Sequence, residues 1–241
     1  MSSKQVALEF DQQLAALNLS QRIEFIDNST QKATFTTSLG KEDQLITHLI
    51  DAGSHNISIA AINTRRLFPQ TIELLDTTRQ RYQTKINEYL PDNENIKTYE
   101  DSFGANGFYE SVEARHECCR IRKLVPLEEI LNPADAWITG LRREQSNNRA
   151  HVPFCEYSDK FQVLKFNPLA DLTSQLMDEL IAKHDVPINP LHDKGFPSIG
   201  CEPCTRAVKP GEDERAGRWW WENDNSRECG LHQRKTLQTN E

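Results

Sequence analysis

Two pairs of cysteines are the residues whose type and spacing point most directly to chemistry. Cys118 and Cys119 are adjacent, while Cys201 and Cys204 are separated by Glu and Pro. Four thiolates in two pairs suit either a structural Zn²⁺ ion or an iron–sulfur cluster. Zinc usually takes ligands from two spaced pairs, whereas adjacent cysteines more easily reach the separate corners of a [4Fe–4S] cube. We therefore favour the cluster over zinc, and either over four buried structural cysteines.

The two remaining cysteines stand alone and have different surroundings. Cys155 follows Val-Pro-Phe, which favours a packing role or an inert surface thiol. Cys229 lies in a polar stretch, with His232 three residues later and several arginines upstream. Cationic neighbours favour the thiolate, which is the nucleophilic form of cysteine. Cys229 is thus a candidate nucleophile, and an idle thiol is the alternative.

Arginines are concentrated in two stretches. Arg142, Arg143 and Arg149 form the first, and Arg215 and Arg218 form the second, immediately before three consecutive tryptophans. Forked guanidinium groups bind phosphate and sulfate oxygens well, although surface arginines often only balance carboxylates. The tryptophans favour an apolar contact that holds the C-terminal segment in place.

Residues 38–43, Ser-Leu-Gly-Lys-Glu-Asp, follow a predicted strand and open a predicted helix. Backbone N–H groups and the helix dipole at such a turn can hold an anion. The stretch lacks both the Gly-Lys-Ser/Thr of a P-loop and the three glycines of a dinucleotide fingerprint. An ordinary βα turn in which Ser38 caps the helix is the alternative.

Composition narrows the class of protein. The 28 Lys and Arg residues against 36 Asp and Glu give a net charge of −8, which argues against a nucleic-acid partner. Hydrophobic residues at 37% and charged residues at 27% are typical of a soluble globular chain. No apolar run approaches the ~20 residues of a membrane span, and the start lacks a secretory signal. We therefore expect a cytoplasmic protein without membrane contact or structural disulfides.

The elements that must position these residues alternate between strand and helix. Buried strands are predicted at residues 33–37, 57–62, 85–90, 136–139 and 161–166, and helices at 41–51, 71–82 and 172–184. This order predicts an α/β fold with a mostly parallel sheet and helices on both faces. After residue 184 the chain becomes loop-rich, so we expect a main domain over 1–205 and a mobile C-terminal tail over 206–241.

Five motifs taken together resemble the assimilatory adenylyl-sulfate reductases, the cluster-containing branch of the bacterial sulfonucleotide reductase family. The matching stretches are 118–127 (CCRIRKLVPL), 137–146 (WITGLRREQS), 189–204 (NPLHDKGFPSIGCEPC), 215–222 (RAGRWWWE) and 228–232 (ECGLH). The family fold is an adenine nucleotide α-hydrolase-like parallel sheet, in agreement with the alternation of elements above.

The resemblance implies a role for each matched residue. Cys118, Cys119, Cys201 and Cys204 would ligate a [4Fe–4S] cluster, and Cys229 would be the catalytic nucleophile. Lys123 matches a lysine between cluster and substrate. The other implied substrate-binding residues are Arg122, Arg142, Arg215 and Arg218, with Ser38 and Gly40 in a modified pyrophosphate loop. Residues 63–66, Asn-Thr-Arg-Arg, depart from the usual Asp-Thr-Gly, so no role is assigned to them.

The resemblance also implies the reaction. Adenosine 5′-phosphosulfate (APS) would be reduced to sulfite and AMP through an S-sulfocysteine, with thioredoxin or glutaredoxin as reductant, in sulfate assimilation and cysteine biosynthesis. The cluster would act as an electrostatic and structural element. Use of the 3′-phosphorylated substrate PAPS, alone or together with APS, is the nearest alternative; an ATP-pyrophosphatase-type ligase and a zinc-stabilised binding module are more distant ones. Both a monomer and a homo-oligomer remain open.

Overall fold

One six-stranded sheet organises the computed structural model, which describes residues 2–222 of the chain. Its strands are β1 (Ala33–Thr37), β2 (Ser58–Ile62), β3 (Ile86–Tyr89), β4 (Ala136–Ile138), β5 (Cys155–Ser158) and β6 (Val163–Phe166). They lie in the order β3-β2-β1-β4-β6-β5, and every pair is parallel except β5 with β6. The predicted parallel sheet is confirmed, and β5 is an additional antiparallel edge strand.

Eight α-helices accompany the sheet within residues 2–222. They are α1 (Ser3–Ala15), α2 (Leu19–Ser29), α3 (Lys41–Ala52), α4 (Pro69–Arg81), α5 (Asn93–Phe103), α6 (Val112–Cys119), α7 (Val125–Leu131) and α8 (Ser174–Lys183). The sequence pattern predicts α3, α4 and α8 to within a few residues, but not the other five. None of these helices combines the length and hydrophobicity that crossing a membrane requires.

Side chains on the strands alternate between two cores, one on each face of the sheet. Ile59 and Ile138 join a core that also receives residues from α1, α2, α3 and α8. Ala60 and Trp137, their neighbours in sequence, point to the opposite face and pack against residues of α7. Successive residues of a strand face opposite sides, so this alternation requires helices on both faces, as predicted.

The strand order reverses direction at β1, and this reversal creates a crevice. From β1 the chain builds outward through β2 and β3, and it then returns to place β4 on the other side of β1. The loops leaving the carboxyl ends of β1 and β4 therefore diverge. In open parallel sheets, ligands bind at such switch points.

Arg22 ties the first two helices to the far side of the domain. Its guanidinium donates to both carboxylate oxygens of Asp171, at 2.6 and 2.9 Å, and to the carbonyls of Leu14 and Pro168 at 3.0 and 2.9 Å. The side chain is only 8% exposed. The guanidinium stabilises the packing of α1 and α2 because it gives each of these acceptors a hydrogen bond. An apolar side chain in its place would leave them unpaired.

We predict that Arg22→Ala lowers the free energy of unfolding by about 3 kcal/mol, because it leaves buried carbonyls unpaired. Lys4→Ala is the control, since the Lys4–Asp159 pair is 64% and 69% exposed, and it is expected to change stability by less than about 1 kcal/mol. Urea unfolding followed by circular dichroism measures both values. Equal losses in the two variants would contradict the structural role of Arg22.

Candidate active site

A cavity of about 230 Å³ opens at the carboxyl ends of β1, β2 and β4. Its walls are the loop after β1, the segments that follow β2 and β4, and parts of the stretch from 192 to 218. The cavity thus lies at the switch point of the sheet, where loops from neighbouring strands can surround a ligand. Ser38, Gly40, Lys123, Arg215 and Arg218 of the predicted substrate site all line it.

The loop after β1 forms the turn expected of an anion site, but its first hydrogen-bond donors already bind a side chain of the protein. Leu39 has a positive φ of 62°, and Gly40 is the N-cap of α3 without a side-chain cap. Ser38 does not cap the helix. Instead, its backbone N–H and its hydroxyl donate to the Asp43 carboxylate at 2.5 and 2.7 Å. A carboxylate of the protein therefore occupies part of the turn.

Asp43 is buried in a tight space at the cavity wall. A side chain on Gly140 would collide with the Asp43 carboxylate, so the turn after β4 requires glycine there. Burial raises the pKa of Asp43 to about 6 against the opposing effect of the Ser38 hydrogen bonds, and the negative charge of Glu42 adds to the increase. The group therefore changes its charge within the accessible pH range.

Two of the three arginines in the first stretch have different positions: Arg142 lies behind the cavity wall, and Arg149 forms part of that wall. Arg142 is 1% exposed and does not reach the cavity wall; it donates to Glu42 at 2.9 Å and to the Leu172 carbonyl at 3.0 Å. Arg149 lines the cavity and donates to Gln145 at 2.6 Å. The structure thus places Arg142 behind the loop after β1 and the first turn of α3, which contains Glu42, while Arg149 lines the cavity.

Arg218 presents a buried donor to the cavity. Its guanidinium lies 4.8 Å from the Trp219 ring centroid and donates weakly to Ser198 at 3.3 Å. A side chain on Gly200 would collide with the guanidinium, so glycine makes room for it. Arg218 Nε is buried without a hydrogen-bond partner among residues 2–222. A buried cation with an unsatisfied N–H in a cavity wall is suited to an anionic ligand.

His192 adds an acceptor to the same cavity. Its Nδ1 lies 2.8 Å from the carbonyl oxygen of Phe196, which can only accept, so Nδ1 carries the proton. Burial lowers the pKa of His192, and Nε2 is buried without a partner in the described chain. The neutral ring can accept a hydrogen bond from a ligand. The sequence does not single out His192, because its Pro- and Gly-rich surroundings indicate only a loop.

A second, smaller cavity is lined by all four paired cysteines. Cys118 and Cys119 end α6, and the chain continues in a π-helical turn, Arg120–Leu124. Such turns interrupt the regular register of side chains and are frequent at functional sites. Here the turn follows the cysteines directly, and Arg122 and Lys123 of this turn line the same cavity.

Residues 63–66, which differ from the Asp-Thr-Gly expected from the resemblance, hold the C-x₂-C turn in place. The Thr64 hydroxyl lies 3.2 Å from Cys201 Sγ, and the Glu202 N–H donates to the Arg66 carbonyl at 2.7 Å. The Thr205 hydroxyl donates to the Cys201 carbonyl at 2.9 Å. Residues 63–66 therefore support the C-x₂-C turn, a role that their sequence alone does not indicate.

The four cysteine thiols are ligands of the chemical type that an iron–sulfur cluster takes. Four thiols surround one cavity, and the cations of Arg115, Arg122 and Lys123 line it and can balance thiolate charge. Without a bound group, burial raises the pKa of Cys204 to about 12, and the nearby Cys201 adds to the increase. Among residues 2–222, no three Cys, His, Asp or Glu side chains are arranged for a single metal ion.

Lys123 and Cys201 line both cavities. The larger cavity and the cysteine cavity are therefore neighbours that share a wall. A positive charge in this wall lies between the thiols on one side and any ligand at the sheet edge on the other. This placement agrees with the position that the resemblance implies for Lys123.

The chain up to residue 222 is fastened beside the cysteine cavity. Trp219 is fully buried, and Arg115 donates to both Glu222 carboxylate oxygens, at 2.8 and 2.7 Å. Both members of this ion pair are buried, at 0% and 4% exposure. Cys229 lies outside the described residues, so its role remains a prediction. The division of the chain between residues 205 and 206 also remains a prediction.

Comparison with known proteins gives a consistent result. Residues 32–207 match the phosphoadenosine phosphosulfate reductase domain. The chain is 51% identical to adenosine 5′-phosphosulfate reductase of Agrobacterium fabrum, over 92% of this chain and 85% of that protein. It is 48% identical to the protein of the same name from Allochromatium vinosum, over 83% and 78% of the two chains.

Solved structures agree on the fold. Phosphoadenylyl-sulfate reductase of Candida auris superimposes with a TM-score of 0.73 at 21% identity, over 86% of this chain and 98% of that one. FMN adenylyltransferase of Candida glabrata gives a TM-score of 0.54 at 13% identity, over 93% and 85%. The adenine nucleotide α-hydrolase-like fold is thereby confirmed.

We predict that Asp43→Asn changes how stability depends on pH. The folded protein binds the Asp43 proton more tightly than the unfolded chain does, since the pKa rises from 3.8 to about 6. The contribution of Asp43 to stability therefore falls as pH rises between about 4 and 6, and is constant above. Asn keeps an acceptor for Ser38 but does not titrate.

The measurement is the free energy of unfolding of variant and parent at several pH values from 4 to 7. The difference, variant minus parent, should rise across this range and then level off. Asp159→Asn removes a carboxylate that is 69% exposed and serves as the control for loss of one negative charge. A difference that is independent of pH would contradict the shifted pKa of Asp43.

Proposed function

The chain belongs to the phosphoadenosine phosphosulfate reductase family, and from this membership we propose that it reduces APS to sulfite and AMP in sulfate assimilation and cysteine biosynthesis. It is an oxidoreductase whose relatives at about half identity carry the name adenosine 5′-phosphosulfate reductase. The observation that supports this best is Arg218, a buried cation that lines the cavity at the switch point and keeps its Nε–H without a hydrogen-bond partner among the described residues.

APS is favoured over PAPS by the cysteine pairs and by the names of the relatives. The Asp43 carboxylate in the loop after β1 also counts against an ATP-pyrophosphatase-type activity, because it occupies the Ser38 donors. A pyrophosphate group would have to displace a carboxylate of its own charge sign from this turn.

The first chemical step would be attack of the Cys229 thiolate on the sulfate sulfur of APS. A sulfur–sulfur bond forms, the bond from that sulfur to the phosphate oxygen breaks, and AMP leaves with the bonding electron pair. Because an anion attacks an anion, positive charge must lie around the reacting groups. Lys123, Arg149, Arg215 and Arg218 line the cavity and can supply it.

The four paired cysteines would hold a [4Fe–4S] cluster behind Lys123. When bound, this group supplies a fixed charge distribution and a covalent anchor for α6 and the C-x₂-C turn. Lys123, in the wall between the two cavities, would orient the sulfate end of the substrate, and the ion pair of Arg115 with Glu222 would hold the chain that leads to Cys229.

The second step requires a dithiol reductant of the thioredoxin or glutaredoxin type. One thiolate of the reductant attacks Cys229 Sγ, sulfite leaves with the electron pair of the sulfur–sulfur bond, and a mixed disulfide forms. The second thiol of the reductant resolves it and regenerates Cys229. The dithiol loses two electrons and two protons, and the sulfate sulfur gains the two electrons. This chemistry needs reduced thiols, which agrees with a cytoplasmic location.

We predict that the protein releases AMP from APS once per Cys229 without reductant, and releases sulfite only when reduced thioredoxin is added. Mass spectrometry should find one added sulfonate on the peptide containing Cys229. Cys229→Ser should bind APS but form neither product, since a hydroxyl is almost wholly protonated near neutral pH. A sulfonate on Cys155, or turnover by Cys229→Ser, would refute the proposed mechanism.

Iron binding provides a separate prediction. Protein purified anaerobically should contain about four iron atoms per chain and show visible iron–sulfur absorption. Cys118→Ser should lose the iron, because a serine oxygen is a poor ligand for this group. Cys155→Ser is the matched control: Cys155 is also buried but lies on β5, away from the cysteine cavity, and the variant should keep its iron. Stoichiometric zinc without iron would contradict the cluster.

A further inference from the structure

Four large apolar side chains are exposed together near the cysteine cavity. Phe103, Tyr109, Val112 and Trp220 are 39%, 40%, 41% and 36% exposed. Phe103 ends α5, Tyr109 lies between α5 and α6, and Val112 begins α6, while Trp220 comes from the last described segment. We call these four residues the aromatic patch. Tyr109 and Trp220 are in ring contact, and clustered exposed apolar side chains mark interaction sites more often than isolated ones do.

The aromatic patch is firmly attached to the candidate active site. The ring centroids of Tyr109 and Trp220 are 6.3 Å apart, and Tyr109 also packs on Trp221 at 4.5 Å. The Tyr109 hydroxyl donates to the Pro203 carbonyl at 2.6 Å, within the C-x₂-C turn. Phe108, directly beneath, is buried. The patch is thus a rigid surface on the outer side of the cysteine cavity.

The chain that carries Cys229 starts from this patch. Trp220 belongs to the patch, Glu222 is held by Arg115, and Cys229 follows seven residues later. Seven residues span at most about 25 Å when fully extended. Any protein that reduces the sulfur bound to Cys229 must therefore bring its own thiol within about 25 Å of Glu222, the residue that follows the tryptophans.

Residues 223–241 have few apolar side chains that could pack on the patch. Residues 223–241 contain no aromatic residue, and Leu231 and Leu237 are the only large aliphatic ones. Covering four large apolar side chains would need more apolar surface than this segment has. The composition therefore favours an apolar surface on another protein.

We propose that the aromatic patch is the docking surface for the dithiol reductant, a thioredoxin-type protein with an apolar surface around its reactive cysteine. This inference rests on the proposed function. Redox partners associate transiently through small interfaces, and aromatic residues carry much of the binding energy at such contacts. The exposed carboxylates of Glu110 and Glu113 lie beside the patch and provide a polar rim.

The test compares Trp220→Ser and Val112→Ser with the parent in full-length protein. The KM for reduced thioredoxin at saturating APS should rise about fivefold or more in each variant, with kcat at saturating thioredoxin unchanged. Leu176→Ser is the matched control, because Leu176 is 45% exposed on α8 and distant from the patch in the fold. Its KM for thioredoxin should equal that of the parent.

Release of AMP from APS in a single turnover without thioredoxin measures the first chemical step alone. It therefore distinguishes a loss of reductant binding at the patch from a loss of that step. Both variants should release AMP at the parent rate and sediment as the parent does. An unchanged KM for thioredoxin in both variants would overturn the proposal, as would slower AMP release, which would assign the patch to the chain's own C-terminal segment. A changed oligomeric state would assign it to a second copy. A parent that releases no AMP from APS would instead refute the proposed function.

Discussion

A crevice that binds anions must contain buried positive charge, and each buried guanidinium needs partners within the protein. In a chain with a net charge of −8, this requirement shapes the whole edge of the sheet. The buried arginines in this part of the fold are Arg115, Arg122, Arg142, Arg149 and Arg218. Distant segments supply the partners of Arg115, Arg122 and Arg142, so the fold and the site depend on each other.

Each pairing fixes one boundary of the site. Arg142 and Glu42 hold the start of α3, directly after the loop that follows β1, while Arg115 and Glu222 hold the segment that leads to Cys229. Arg122 donates to the Thr64 carbonyl at 3.0 Å, and Thr64 in turn contacts Cys201. The loop, the cysteine pairs and the C-terminal segment are therefore positioned by the same class of interaction. Arg218, which lines the cavity, has only weak hydrogen bonds from its guanidinium, at 3.3 and 3.4 Å to Ser198 and Ile199.

The sequence predicts the parts of this arrangement that depend on local patterns. Short apolar runs predict five of the six strands, and the motif at 38–43 predicts the turn that opens α3. Helices α1 and α2 do carry a local signal, the capping boxes at Ser2 and Asn18, which a search for start residues would find. In the short helix α6, polar and apolar residues are not separated onto opposite faces, so its sequence does not predict a helix by amphipathic pattern.

Contacts between distant segments could not be read from the sequence. Arg142 and Arg149 are equivalent as residue types, and only the position of Glu42 decides which one is behind the loop and which one faces the cavity. The charge on Asp43 likewise depends on its burial against Gly140, nearly a hundred residues away. Residue type predicts the chemistry that is available, whereas the fold decides which residue performs it.

The central claim is that the cavity at the sheet edge holds the substrate with its sulfate end at Lys123, in the wall shared with the cysteine cavity. A crystal structure of the iron-loaded Cys229→Ser protein with APS tests this most directly. We expect phosphosulfate oxygens within hydrogen-bond distance of Lys123 and of the Arg218 guanidinium, and the nucleoside beside the loop after β1. APS bound with its sulfate directed away from Lys123, or outside this cavity, would contradict it.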